Sequence, residues 1–576
     1  MNWKNKAYAS VYDAVNTKSG GRADEFLNGT GKLYRIQNLD TLGTWIKFYV
    51  ANNLTFYIVG DYDCDGVMST VELYILLKKI GAENIIIRTP KRPEGYGMSP
   101  KIVSEFDKPG VIITVDNGIA ALPAIEEAKK RGHIVLVTDH HMPVMENGKE
   151  KLPAADLIVD AHVRDDLVSK DGSIAGTDFD GYCGAGIVYK LAQLLIPATK
   201  ELDMIAACAA IATIADVVPL VEDNRNIFHA GMNAILSKRI TPGLQKLIDV
   251  LKSNNIVNET DIGFTIAPML NAPGRIYPDG ANLSVNTVLS DNFYEADDLV
   301  AQLGTANESR KEMKELAVSR AIETMERECL YGANPVVIYD PATEEGVVGL
   351  VAGALTEQYN ATSIVFTKTE NPGIIKGSCR APEYCNIKQA LDMVHDQHPE
   401  YFVGYGGHKA AAGVTLYQQY LEDFTGDMQN AMGPAQMVSD CIEYDLEIDA
   451  GDLAGTTAQI SQYAPYGEGN PALIVRVNNF CLVPMGNTFC SLLGKNTIRF
   501  FGAGCEAIGF GLAKRYEEEH SPMKIDIVGK LSYNNFMGKK VPQIEMLDFK
   551  ASASSAMPVN ELSNSIAGHL KLYGLA

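Results

Sequence analysis

Three aspartates stand at every second position after one apolar run, in Asp61-Tyr62-Asp63-Cys64-Asp65-Gly66. Carboxylates crowded at one point repel one another unless a cation neutralises them. Two further clusters follow other apolar runs: Asp116-Asn117-Gly118 after GVIITV, and Asp139-His140-His141 after IVLVT. Each by itself reads as a turn or a helix cap with solvated side chains. Together, all at strand ends, they are hard to explain as turns. Carboxylate mixed with imidazole, with no thiolate, suits manganese or magnesium better than zinc or iron. Two such ions about 3.5–4 Å apart activate a water and stabilise the leaving oxygen of a phosphoryl displacement. Asp116 is the expected bridge between them. Asp216 lies in the apolar run 214–220, where a carboxylate must cap, pair or bind metal.

Strand ends that converge need a sheet whose strands all point one way. Apolar runs at 54–59, 84–88, 110–115, 134–138 and 156–159 alternate with helical patterns, which predicts a parallel sheet with right-handed crossovers. Its carboxyl edge is where such folds place ligands. From 183 to about 290 the chain reads as mainly helical, and 294–330 as one long helix bridging two domains. A second α/β unit follows. Short strands with turn signals over 440–550 suggest a small β-barrel. The fold class is therefore α/β multidomain. The expected divisions are 1–53 (a peripheral N-terminal segment), 54–292, 293–331 (the connecting helix), 332–436, 437–552 and a loose tail, 553–576.

Two glycine-rich stretches lie in the second unit. Residues 376–380 close a strand, and 404–413 read as a loop leading into a small-residue helix start. Backbone amides there, with Arg380, His408 and Lys409, could hold phosphate. The bland alternative is tight packing of Ala against Gly.

Bulk properties bound the rest. The chain has 576 residues, 46% hydrophobic and 21% charged, as in an ordinary globular protein. No apolar run reaches the roughly 18 residues that span a bilayer, and the N-terminus lacks a signal-type apolar core, so a cytoplasmic protein without membrane contact is expected. Ten scattered cysteines without a C-x-x-C pair suit reduced thiols. A net charge of −21 leans against a generic nucleic-acid binder.

The motifs overturn that leaning. Asp61 to Gly66, Asp116-Asn117-Gly118, Asp139-His140-His141 and Ala215-Asp216-Val217-Val218-Pro219-Leu220, in that order, resemble those of the DHH phosphoesterase superfamily. Gly406 to Gly413 resembles the signature of its DHH-associated second domain. The RecJ single-strand exonuclease branch is resembled by 95–100, by Asp261-Ile262-Gly263-Phe264 leading to Leu270-Asn271-Ala272-Pro273-Gly274-Arg275, by 346–349 and by 465–471.

This resemblance implies a two-ion, Mn2+- or Mg2+-dependent 5′→3′ exonuclease on single-stranded DNA. Such an enzyme releases 5′-mononucleotides in DNA repair and recombination. By motif, Asp63, Asp65, Asp116, His140 and Asp216 would be metal ligands, and Asp61 and His141 catalytic residues beside them. Arg92, Arg275, Ser378, Arg380, Gly407 and His408 would contact the strand, and an OB-like third domain would extend its binding surface. A monomer is expected, with a single-strand-binding protein as a companion suggested by the family. Two features depart from the pattern: residues 1–53 do not resemble the usual lead-in, and Glu344 stands where a His is expected. The competing readings are a DHH phosphodiesterase for short oligonucleotides or cyclic dinucleotides, and a non-catalytic DHH scaffold. The third domain weighs against the first, and the filled ligand positions against the second.

Overall fold

Runs of Val and Ile form one parallel sheet: β1 (Phe56–Val59), β2 (Ile85–Arg88), β3 (Val111–Val115), β4 (Ile134–Asp139) and β5 (Leu157–Asp160). The computed structural model describes all residues except 1, 30, 147, 164–178, 252–256, 435–440, 485–488, 494–495, 537–538 and 553–576. The expected tail and the expected division at 436/437 thus lie outside the described residues. The strand order is β2-β1-β3-β4-β5, every neighbour parallel. It reverses between β1 and β3, which opens a crevice at their carboxyl ends. Period-two alternation splits the strands between two cores. Phe56, Ile58, Ile113 and Leu136 face one, and Tyr57, Val59, Ile112 and Val137 the other.

Among the helices packed around this sheet in the first domain are α1 (Cys64–Lys79), α2 (Gly184–Leu195), α3 (Lys200–Ala215) and α4 (Ala267–Ile276). The connecting helix α5 (Phe293–Arg327) joins two cores. Val300 and Leu303 pack with the first domain, and Ala317, Ala321 and Met325 with the second. No residue of 308–316 between them is buried.

The second domain is a five-stranded sheet of β6 (Val336–Tyr339), β7 (Ser363–Lys368), β8 (Ile374–Arg380), β9 (Phe402–Gly407) and β10 (Ala411–Tyr417), in the order β9-β10-β8-β7-β6. The expected helix start after Gly404 is instead a strand–turn–strand. Its glycines and alanines look like close helix packing, but Val414 to Tyr417 continue as a β-rich run and pair antiparallel with β8. The described part of the third domain forms a seven-stranded sheet between Leu446 and Ala551.

The N-terminal segment is not peripheral. Val11, Ala14, Phe26, Leu42 and Ile46 share one core with Phe56 and Ile58 of the first domain and Val475, Val477 and Phe480 of the third. Asn2–Asn5 pairs with Cys441–Tyr444, and Trp3 Nε1 donates to Asp548 Oδ2 at 2.7 Å. These partners are over 400 residues away, so no local pattern announces them. No helix among the described residues is long and apolar enough to cross a membrane.

Candidate metal centre

The acidic loop is fixed by the helix it opens. Asp63 is the N-cap of α1, and its side chain accepts the Gly66 N–H at 3.0 Å. Asp65, in the first turn, accepts the N–H groups of Gly184 (2.6 Å) and Ala185 (2.8 Å), the first residues of α2. Amides at a helix start lack intrahelical partners and carry partial positive charge, so they suit a carboxylate. Cys64 between the two aspartates is buried in an apolar cluster. Its N–H donates to Asn271 Oδ1 of α4 at 2.7 Å.

Asp116 leaves β3 with φ +60°, a left-handed conformation uncommon outside glycine. Asn117 holds that turn. Its Nδ2 donates to the carbonyls of Val59 (3.0 Å) and Val115 (2.9 Å), and its Oδ1 accepts the Met98 N–H at 3.1 Å. From β4, His140 Nε2 lies 3.1 Å from Asp116 Oδ1 and 3.6 Å from both Asp65 Oδ2 and Asp216 Oδ2.

Three sets of candidate ligand atoms each lie within 4.8 Å of one another: Asp61, Asp63 and Asp116; Asp65, His140 and Asp216; and Asp116, His140 and His141. Asp61 Oδ2 and Asp116 Oδ2 are buried without a hydrogen-bond partner. Such an oxygen costs about 1–3 kcal/mol or more, a penalty that a cation removes. The residues therefore fit a divalent metal.

Electrostatics agree. Burial, reinforced by Asp65 and Asp63, pushes the Asp116 carboxyl far above the usual range. Burial with the same two neighbours pushes Asp216 up to about 8. Unfolded carboxylates lose their protons near pH 4, so above that the folded metal-free chain binds more protons than the unfolded one. Stability of the metal-free protein should therefore fall as pH rises through the window up to about 8. We expect the melting temperature in EDTA to decline from about pH 5 to pH 8, and manganese, binding more tightly as pH rises, to abolish the decline. A flat profile in EDTA would contradict the crowding.

Asp139 orients the histidines. Its Oδ1 lies 2.8 Å from His141 Nδ1 and accepts the His140 N–H at 2.8 Å, while Oδ2 accepts the Ile119 N–H at 2.8 Å. Burial opposes a charge on His141, yet Asp139 outweighs it and the pKa is pushed up to about 9. The Tyr96 hydroxyl lies 3.1 Å from His141 Nδ1 and donates to the Asp116 carbonyl at 2.6 Å.

Beside His141 opens a cavity of about 1330 Å³ between the first and second domains, with Ser378, Arg380, Gly407 and His408 in its far wall. Four of the strand contacts expected from the sequence thus face the Asp/His edge together. Arg92 and Arg275 are not in that lining. Arg92 lies 4.3 Å over the Tyr62 ring, and Arg275 Nη1 donates to the Gly346 carbonyl at 3.1 Å. Glu344 is exposed and takes no part in the cavity wall. The sequence reading gave no role to Asn117, Asp139, Gly184 or Asn271, although Asn117 and Asp139 lay inside its motifs.

Comparison with known proteins places these features. Family models for the DHH family N-terminal domain, the DHHA1 domain and the RecJ OB domain match residues 55–215, 332–433 and 444–548. The single-stranded-DNA-specific exonuclease RecJ of Bacillus subtilis is 32% identical over 516 residues, 88% of this chain and 62% of that protein. The RecJ of Escherichia coli is 29% identical, over 84% of this chain and 86% of its own. The crystal structure of Thermus thermophilus RecJ with Mn2+ superposes with a TM-score of 0.74 at 22% identity, covering 96% of this chain and 80% of that one. Another structure, of exonuclease RecJ bound to manganese, gives 0.56 at 26% identity over 70% of this chain and 98% of that one. With all three domains present in that order, the chain belongs to the RecJ branch of the DHH family.

Proposed function

We propose that this chain is a manganese- or magnesium-dependent exonuclease that degrades single-stranded DNA from the 5′ end to 5′-mononucleotides. The observation that carries the reading is the position of Asp116. It joins the Asp61–Asp63 set to the histidine set, beside a cavity walled by Ser378, Arg380 and His408. Asp61, Asp63 and Asp116 would hold one ion and Asp65, His140 and Asp216 the other, with Asp116 shared. When bound, the ions supply an activated water and neutralise charge developing at phosphorus.

The chain's own groups position the substrate. Asp139 holds His141 with a proton on Nδ1 and turns the ring toward the cavity. Arg380 and His408 bind the phosphate of the terminal nucleotide, helped by the Ser378 hydroxyl, which accepts from Arg380 Nη1 at 2.9 Å. Gly407, at φ +140°, lets the backbone pass close to the ligand. Arg92 and Arg275 take phosphates outside that cavity. The third domain shares a core with the first and continues the strand surface. A monomer working in the cytosol beside a single-strand-binding protein, in repair and recombination, completes the reading. The ten free cysteines suit that reducing compartment.

One digestion decides the matter. A long single strand labelled at its 5′ end should release labelled mononucleotide at once in manganese, whereas a 3′ label should be released last and a blunt duplex should resist. Equal turnover of a dinucleotide and a long strand would favour a short-oligonucleotide phosphodiesterase.

A further inference from the structure

Two of the motifs marked in the sequence, 261–264 and 465–471, have no part in the ligand sets or in the cavity beside His141. Both meet on a second cavity, of about 310 Å³, between the first and third domains. Its wall takes Ala215, Val217 and Leu220 from the Asp216 segment, Gly263 and Phe264 from the first motif, and Tyr466 from the second. Two hydrogen bonds lock the three segments together. The Leu220 N–H donates to the Glu468 carbonyl at 2.8 Å, and the Tyr466 N–H donates to Glu259 Oε1 at 3.0 Å. The buried Arg225 guanidinium fixes the approach to the same turn, donating to the Ala464 carbonyl at 2.8 Å.

Phe264 lies on the π-helical turn Ile262–Ile266 that leads into α4. Such turns are wider than an α-helix and recur at functional sites. Ile262 and Ile266 are fully buried, whereas Phe264 is 83% exposed. Val217, next to Asp216, is 68% exposed at φ +57°, a conformation that a β-branched residue adopts only under strain. Among the described residues the wall holds no Lys or Arg, but it does hold Glu259 and Glu468. A phosphate is repelled there, and a flat uncharged ring is not. The volume is on the scale of a ring or two and not of a protein interface, which buries about 800 Å² per partner. The cavity also adjoins the metal edge, because Ala215 and Val217 flank Asp216. An exonuclease that keeps its terminal nucleotide beside His141 must hold the rest of the strand beyond the ions.

We propose that Phe264 is a stacking platform for one unpaired nucleobase on the uncut part of the single strand, with Val217 and Tyr466 completing the seat. The proposal rests on the single-strand reading above and adds to it a contact with a base. Stacking tolerates any sequence, because every base has a π-face. A base held inside a duplex stack cannot turn that face to Phe264, so the seat also favours single strands.

An abasic scan tests it. The full chain, in magnesium, is titrated with phosphorothioate single strands that resist cleavage, each lacking one base at a successive position from the 5′ end. The wild type should lose about ten-fold in affinity when one particular position is abasic, a loss typical of one stacked base. Phe264→Ala should bind the complete strand about ten-fold more weakly and no longer register that position. Its melting should be unchanged, and so should its slope of log affinity against log salt, since a base contact neutralises no phosphate. Phe264→Tyr, which keeps a ring, should retain both the affinity and the abasic position. If Phe264→Ala does not fold, Phe264→Leu, which keeps an apolar side chain without a ring, carries the same test. Wild-type affinity of the variant for the complete strand, or an undiminished loss at the same abasic position, overturns the platform. Unchanged strand affinity with an altered oligomeric state would assign the face to a second copy of the chain and overturn the base assignment. A wild type that binds none of the strands would instead overturn the single-strand reading itself.

Discussion

Asp116→Asn is expected to lower manganese-dependent release of mononucleotides from single-stranded DNA by more than about 10³-fold, beyond the loss typical of one hydrogen-bond donor to a transition state. The substitution keeps the shape of the side chain and removes its charge. Asp116 belongs to two of the three ligand sets, so losing it disturbs both ion positions at once. Stability should move the other way. Without metal, the Asp116 carboxyl is crowded by Asp65, Asp63 and Asp61, and its Oδ2 has no donor. The metal-free variant should therefore melt no earlier than the wild type. Manganese at a hundredfold excess over its Kd should add about 2.7 kcal/mol to the wild type and nearly nothing to the variant. A variant that digests at the wild-type rate would remove Asp116 from the bridge.

Gly184→Ala should damage the centre without touching a ligand. A Cβ at Gly184 would sit 2.7 Å from Asp116 Cβ, 2.9 Å from Asp116 Cα and 3.0 Å from Asp65 Oδ2. None of these neighbours is the free end of a flexible chain, because Asp65 is anchored by the Gly184 and Ala185 amides themselves. The ligands must shift, and a displacement of about 1 Å at a reacting centre costs roughly 10²-fold in rate. The strain should cost about 1–3 kcal/mol of stability. Gly186→Ala, on the same helix, meets nothing closer than 3.5 Å and should stay within about two-fold of the wild-type rate. Equal activity of the two variants would mean that the cradle around Asp65 yields freely.

The sheet and its acidic edge were legible because their signals are local. A run such as Phe56–Val59 is buried throughout, and the residue types that follow it declare what the strand end carries. Whatever depends on distant partners was not legible. Asn271 reaches Cys64 across 207 positions. The Gly184 and Ala185 amides look like an ordinary small-residue helix start until Asp65 is seen against them. Asn117 reads as a turn residue, although its three hydrogen bonds tie β1, β3 and the loop at Met98 together. The 404–413 stretch misled for a related reason: glycine and alanine carry little pattern, and pairing with β8 decides its form.

The bare middle of the connecting helix sets a phase between the two walls of the cavity. Helix α5 is continuous over 35 residues, gripped by the first domain up to Asn307 and by the second from Ala317. An α-helix turns about 100° and advances about 1.5 Å per residue. One residue added or removed between the two grips would swing Ser378, Arg380 and His408 around the axis, away from His141, while leaving every contact inside each domain intact. That stretch carries no buried residue of its own, and its count of residues aligns the wall of Ser378, Arg380 and His408 with the Asp/His edge.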